Sequence, residues 1–334
     1  MLLDHLNSFS GGYEAQLRDA VHAKCREADH HLLLIYGGPV EAPNPLDAAD
    51  NAIYDLLRPD SADGIVVVSS LLSTYGGPAG VARLVERFAG AKLCSVGIAL
   101  PGVPSLVLDN RPGMEAAVEH LVRDHGCRRP AFLAGTPQNP EAEIRFQAYQ
   151  AVLRRHGIAC DPELVARGHF RPNSAKLAME ELLARGVALD GVVAANDEMA
   201  TGAIDVLRRR GRRVPQDVPV TGFDDLLLAR LGNPPLTTVA QPYERVADWA
   251  IRALEAQIAG RPVPACTEMA AEFVRRQSCG CGYEAYRRDG PAAVPSRAAE
   301  RGPTADRLAG LTPVLAGLLR TGCWSGGAAA TRLL

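Results

Sequence analysis

The sequence predicts an α/β protein made of two doubly wound parallel-sheet lobes joined by a multi-strand hinge. Three observations predict it. Short apolar runs alternate with longer amphipathic stretches along most of the chain, the signature of βα units feeding a parallel sheet. The alternation comes as two similar sets, one before and one after Pro130. A late helix and two further strand-like runs follow the second set, so the chain is expected to pass between the lobes more than once.

The first set has strand candidates at Leu2–Leu6, Leu32–Tyr36, Gly64–Val68, Leu93–Val96 and Ser105–Leu108, bounded by Gly, Pro or Asp. Most are continuously apolar rather than alternating, so helices are expected on both sheet faces. Those helices are read at Tyr13–Ala28, Leu46–Leu57, Ala79–Phe88 and Gly113–Asp124, with Gly126 ending the last. In the second set, strands are expected at Ala131–Ala134, Leu164–Gly168, Gly191–Ala195 and Val218–Gly222. Helices fall between them at Glu141–His156, Asn173–Arg185 and Asp197–Arg210, with Gly157 and Gly211 as C-caps. Val246–Ala259 makes one more helix, followed by strand-like runs near Thr267–Met269 and Glu272–Val274. The expected division is 1–128 plus 242–265 for the first lobe and 129–241 plus 266–281 for the second. Residues 282–334, rich in Gly, Ala, Pro and Arg, read as a linker or disordered tail with one short helix at most.

Bulk properties narrow the function classes. The 334 residues are 47% hydrophobic and 22% charged, the balance of a soluble globular protein of two ordinary domains. A formal charge of −2 supplies no global attraction to nucleic acid or an anionic membrane. Arg208–Arg213 is strongly basic, but it closes a helix, where cations complement the dipole and face water. No signal peptide and no spanning helix are expected, and a cytoplasmic location follows. The eight cysteines are scattered and read as reduced thiols. Cys279-Gly-Cys281 lacks the two-residue spacer and a nearby second Cys/His pair, so no metal site is expected. The Gly-Gly pairs fit neither dinucleotide nor P-loop patterns, and the histidines form no catalytic constellation. No cofactor and no enzymatic activity are expected.

Three segments carry a resemblance. They are Gly191-Val-Val-Ala-Ala-Asn-Asp-Glu-Met-Ala-Thr-Gly202, Arg213-Val-Pro-Gln-Asp-Val-Pro-Val-Thr-Gly-Phe-Asp-Asp225 and Pro234-Pro-Leu-Thr-Thr-Val-Ala-Gln241. In this order and spacing they resemble the effector-binding core of the LacI/GalR repressor family, whose fold is periplasmic-binding-protein-like, from about Leu2 to Cys281. Asn51–Asp55 and Val274–Cys281 look like a branch in which the sensor region is often attached to a signalling output. The resemblance implies a small polar effector (a sugar, nucleobase or similar compound), a homodimer, and an output domain or partner protein. Family repressors begin with a helix-turn-helix headpiece, whereas here a sheet strand is expected beside Met1, so direct DNA binding by this chain is not expected.

Ligands of open α/β sheets bind beyond the carboxyl ends of the strands, so candidate contacts are sought there. Asn7, Phe9 and Tyr13 follow the first strand and offer a hydrogen-bonding amide and stacking rings, though Asn7 or Ser10 also suits a helix cap. Ser69 follows the third strand; Asp109, after the fifth, is expected to serve a turn. The resemblance implies that Arg145 points into the cleft, against the alternative of an i,i+4 pair with Glu141 on a solvated face. Asn196 is expected to contact ligand while Asp197 caps the following helix. The resemblance further implies that Asp224 accepts hydrogen bonds from ligand hydroxyls and that Gln241 serves both hinge and ligand. Asp225 is expected to cap a short helix. The rival readings are a DNA-binding repressor working through a missing or separate headpiece, a solute-binding transport receptor and a sugar-converting enzyme.

Overall fold

A computed structural model describes residues 1–4, 12–43, 45–137 and 139–282. In chain order the strands are β1 Leu2–Asp4, β2 Ile35–Gly37, β3 Ile65–Val68, β4 Leu93–Val96, β5 Ser105–Asp109, β6 Pro130–Ala134, β7 Val165–Arg167, β8 Gly191–Ala194, β9 Val220–Thr221, β10 Thr238–Ala240, β11 Cys266–Ala270 and β12 Glu272–Val274. They form a parallel sheet ordered β11-β5-β4-β3-β1-β2, a parallel sheet ordered β7-β6-β8-β9, and a small antiparallel pair, β10 with β12. These are the two expected parallel sheets.

The continuous apolar runs are explained by what each face covers. Leu3, Val66 and Val68 pack with Leu17, Val21, Val246 and Ile251, from helices Tyr13–Glu27 and Tyr243–Ile258. The alternate residues Leu2, Ile65 and Val67 pack with Val81, Leu84 and Phe88 on the other face. A half-solvated strand would alternate in polarity; these are buried on both sides and do not. One aromatic is tied down between these layers. Tyr54 is buried beside Gly37, where a Cβ would lie 2.3 Å from its ring, and its hydroxyl donates to the Leu3 carbonyl at 3.0 Å.

The second sheet shares one core with helices Pro140–Arg155, Pro172–Ala184 and Asp197–Arg209. Helix Asn110–Glu119 belongs here too. Its Met114, Ala117 and Val118, and Leu121 in the π-helical turn His120–Asp124, lie in the core of the second lobe. The first crossing therefore comes at about residue 110, not 128, because that helix buries its apolar stripe against the second sheet. A second expectation is corrected likewise. Residues 266–270 pair in register with β5 of the first sheet, so the chain recrosses after Ala270 rather than before Cys266. Between these lies the crossing from β10 to helix Tyr243–Ile258, and β10 pairs with β12 where the two later crossings run side by side. Among the described residues no helix is long and apolar enough to cross a membrane.

Candidate functional site

Between the lobes lies a cavity of about 730 Å³. The first lobe contributes Tyr13, Ser70 and Tyr75 to its wall, and the second contributes Glu141, Arg145, Phe170, Asn196 and Asp224. The lobes touch at its rim, where the Asn139 side chain donates to the Ser70 carbonyl at 3.3 Å. Two other cavities, of about 570 and 510 Å³, are walled by helices Tyr13–Glu27 and Tyr243–Ile258 and the segment after them. They draw nothing from the second lobe, whereas the interlobe cavity takes its wall from both.

Arg145 organises the site. Asn139 caps its helix by accepting from the Ala142 amide, and Pro140 stands in the first turn, where a missing N–H is harmless. From the second turn the Arg145 guanidinium reaches inward and is only 3% exposed. Nε and Nη2 donate to the Asn110 side-chain oxygen at 3.1 and 2.9 Å, and Nη1 donates to the Ala195 carbonyl at 2.7 Å. Its face lies on the Phe223 ring, 3.8 Å from the centroid. Guanidinium carries five N–H donors and these bonds engage three, so two remain for the cleft side. There the Asp224 carboxylate stands 3.6 Å from Nη1 and that of Glu141 3.9 Å from Nη2. The i,i+4 pair with Glu141 is thus present, but inside the cleft instead of on a solvated face.

Asp224 is buried at the tip of β9, with φ 110°. Its amide donates to the Val239 carbonyl at 2.8 Å, and its carboxylate accepts from Gln241 Nε2 at 2.6 Å. Burial pushes the carboxyl up to about 7, opposed by Arg145 and by the Gln241 hydrogen bond. Burial also raises Glu141 and Glu198 above the usual carboxylate range. Gln241 does not line the cavity. It stands behind Asp224, and its own Oε1 is buried without a hydrogen-bond partner, as is Glu141 Oε1.

Tyr13 lines the cleft, its ring tilted at 55° against Tyr243 with centroids 5.8 Å apart, and burial raises its phenol above the usual range. Asn7 and Phe9 lie outside the described residues. Ser69 is not a cleft residue. Its hydroxyl is buried against Ser95 Oγ at 2.7 Å, donates to the Val96 carbonyl and accepts the Ile98 amide, while its neighbour Ser70 faces the cavity. Asn196 lines the cavity, but it is also the helix cap, accepting from the Met199 amide at 3.0 Å and donating to the Phe170 carbonyl at 3.3 Å. Asp197 is therefore not the cap. It is buried, accepts from Leu226 N and Thr238 Oγ1 at 2.8 and 2.5 Å, and burial raises its carboxyl well above the ordinary range. Asp225 caps nothing either; it pairs with Arg276 at 2.6 Å and Arg230 at 3.0 Å. Asp109 serves the architecture as expected, capping the helix that starts at Asn110.

Sequence reasoning missed Phe170, Ser70 and the depth of Glu141. Phe170 follows His169 in a loop, and both non-glycine residues adopt left-handed backbone, at φ 58° and 53°. Such a pair is strained and persists where the surroundings fix it. Here Gly135 fixes it, since a Cβ on that residue would lie 2.2 Å from the Phe170 ring. The structure also sets His120 and His125 beside Cys279 and Cys281, a second Cys/His pair that neighbouring sequence did not show.

Comparison with known proteins agrees with this architecture. Residues 118–279 match the family described as periplasmic binding protein-like domain. The chain is 35% identical over 161 residues to the HTH-type transcriptional repressor CytR of Escherichia coli K12, covering 48% of this chain and 47% of CytR. It is 36% identical over 203 residues to the transcriptional regulator GalR of the same organism, covering 60% and 58%. The matches thus span about half the length of these curated relatives. Among solved structures, a complex of the transcriptional regulator CelR with cellobiose superposes with a TM-score of 0.71 at 28% identity, covering 83% of each chain.

Proposed function

We propose that this chain, which carries a LacI/GalR-type effector-binding domain, senses a neutral carbohydrate in its interlobe cleft and converts lobe closure into a transcriptional response. The observation that carries the reading is Arg145, locked by Asn110, Ala195 and Phe223 with two N–H donors left toward a cavity walled by both lobes. A fixed donor fork beside acceptor carboxyls suits adjacent hydroxyls, which both donate and accept. Tyr13, Tyr75 and Phe170 supply faces for the apolar side of a sugar ring.

Charge selects among polar ligands. The cavity holds Glu14, Glu141, Glu198 and Asp224 against Arg145 and Arg171. A negative charge added to this enclosure is either repelled by these carboxyls or must drive proton uptake by them, and both cost affinity, so sugar phosphates and acidic amino acids are disfavoured against uncharged sugars. The cellobiose complex of CelR supports the same ligand class. Tyr13, Arg145, Asn196 and Asp224 are assigned direct contact; Gln241 is assigned to holding Asp224, and Ser70 takes the place expected of Ser69. Regulation is preferred to transport or catalysis because the curated relatives are transcriptional regulators; a homodimer and a cytoplasmic site of action are proposed alongside it.

A thermal-shift panel of neutral mono- and disaccharides, sugar phosphates, nucleosides and amino acids tests the proposal. Binding to the native state raises the melting temperature by mass action, ~2.7 kcal/mol at a hundredfold excess over Kd. A neutral sugar is expected to give the shift, and Arg145→Ala to abolish it. A response confined to anionic compounds, or one indifferent to Arg145, overturns the reading.

A further inference from the structure

The second lobe carries a cluster apart from the cleft. Imidazole nitrogens of His120 and His125 and the sulfurs of Cys279 and Cys281 all lie within 4.8 Å of one another. His120 Nε2 stands 3.1 Å from His125 Nε2, 3.3 Å from Cys279 Sγ and 3.4 Å from Cys281 Sγ, and His125 Nε2 is 3.6 Å from Cys281 Sγ. With bonds of ~2.0–2.1 Å to nitrogen and ~2.3 Å to sulfur, a tetrahedral zinc ion places its ligand atoms roughly 3.3–3.8 Å apart. These four separations, 3.1–3.6 Å, are close to that size.

Hydrogen bonding alone leaves the cluster overcommitted. His120 Nδ1 is 2.8 Å from the Asp124 carboxylate, which fixes the proton on Nδ1 and leaves one lone pair on Nε2. Three groups converge on that lone pair, and a hydrogen bond satisfies only one. A cation takes a lone pair from each of the four atoms at once. Further contacts are those of a metal–thiolate surround. Asp124 orients the histidine from behind, and Cys279 Sγ receives Thr237 Oγ1 at 3.0 Å and the Cys281 amide at 3.5 Å.

Local structure converges the ligands. His120–Asp124 is a π-helical turn, closed by the His125 amide on the His120 carbonyl at 3.2 Å, and it brings residues five apart onto one side. Gly280 has φ 105°, a backbone conformation that favours glycine, and it lets both flanking thiols face the histidines. His120 and Cys279 are buried, while His125 and Cys281 are half-buried, which leaves a route for an ion to enter.

We propose that His120, His125, Cys279 and Cys281 form a tetrahedral Zn²⁺ site that fastens the segment after β12 to the end of helix Asn110–Glu119. Zn²⁺ displaces a proton from each thiol to solvent and leaves two thiolates and two neutral imidazoles as ligands. The metal is structural: four protein ligands fill its shell and none lines the effector cleft.

The test uses the full chain, purified without a polyhistidine tag under reducing conditions, stripped by chelator and titrated with Zn²⁺ or Co²⁺ alone. One equivalent is expected to bind, Co²⁺ giving the intense visible bands and sulfur-to-metal charge transfer of a tetrahedral thiolate site, and Zn²⁺ is expected to displace it. Cys281→Ser and His125→Ala are each expected to lose the cobalt spectrum, whereas Cys160→Ser, at an exposed cysteine outside the cluster, retains it. Absence of the spectrum and of zinc uptake in the reduced wild-type chain overturns the proposal whatever the variants do. So does a Cys279–Cys281 disulfide in the protein as isolated from reducing cytoplasm. Either failure leaves the effector reading standing, because no cleft residue is involved.

Discussion

Asp224→Asn separates binding from stability in one substitution. In the folded chain the Asp224 carboxyl is pushed from 3.8 up to about 7, chiefly by burial. The unfolded chain gives up this proton near its ordinary value while the folded chain holds it to near neutrality. The folded state therefore binds more protons across that window, and stability falls as pH rises through it, then levels off above it. At 1.36 kcal/mol per pK unit the full penalty is ~4 kcal/mol, of which ~1.7 kcal/mol is present at about pH 5. Asn keeps the acceptor for Gln241 and cannot ionise. Its stability advantage over wild type is thus expected to widen by ~2–3 kcal/mol between about pH 5 and pH 8, or roughly 4–12 °C in melting temperature. Urea unfolding at the two pH values measures it, and sugar titration of the same variant is expected to show a ~10-fold or greater loss of affinity at the higher pH, where a charged acceptor has been removed. An advantage that is flat with pH, or that reverses above neutrality, refutes the burial argument for this carboxyl.

Three other substitutions probe the remaining parts of the cleft. Arg145→Lys keeps the charge but loses the fork, and is expected to weaken sugar binding by ~10–150-fold in isothermal titration, since hydrogen bonds to charged groups contribute ~1.5–3 kcal/mol. Ser69→Ala strands the Ile98 amide and is expected to destabilise the fold by ~1–3 kcal/mol in chemical denaturation with ligand affinity unchanged, whereas Ser70→Ala is expected to do the opposite. Gly135→Ala drives a methyl into the Phe170 ring and is expected to weaken ligand binding more than it lowers the melting temperature; a purely thermal effect removes Phe170 from the site.

The two sheets were legible because their strands are short, apolar and punctuated, and because a buried parallel strand shows its double coverage as an unbroken run. Lobe boundaries were not legible in the same way. Helix Asn110–Glu119 has one apolar stripe, and nothing in that stripe states which sheet it will cover. At one strand end the reading fell a residue short, on Ser69 instead of Ser70; at the other Asn196 does line the cavity, and only the helix cap, expected at Asp197, was a residue late. Ser69 and Ser70 open a short helix after the third strand, and that turn decides which of the two buried hydroxyl residues lies at the cavity wall, just as the last strand residue decides whether Asn196 or Asp197 caps the next helix. Arg145 was found through a resemblance, and its burial against Phe223 needed coordinates. Phe170 depends on two left-handed residues and a glycine far upstream, and the Cys/His cluster on helix and strand ends distant in sequence, neither of which periodicity can report.

On the proposed reading, closure and sensing meet at Asp224. A ligand shifts the open–closed balance only by the difference in its affinity for the two states, so the contacts that matter are those completed when both lobes close. Arg145, Asp224 and Phe170 all belong to the second lobe and exist without closure; Tyr13 and Ser70 of the first lobe complete the wall. Asp224 is bonded to the second crossing, through its amide on Val239 of β10 and through Gln241 at the end of that strand, as Arg145 is bonded to the first through Asn110. A hydroxyl that donates to Asp224 favours its ionised form, strengthens the Gln241 bond and the pull of Arg145, and so stiffens the strand about which the lobes turn. On the proposed reading, sugar binding is then coupled to the hinge through this carboxyl, and replacing Gln241 by Ala is expected to leave the pocket's shape intact while reducing the difference in scattering radius between free and sugar-saturated protein. An unchanged difference in small-angle scattering would show that the hinge is moved by wall contacts alone.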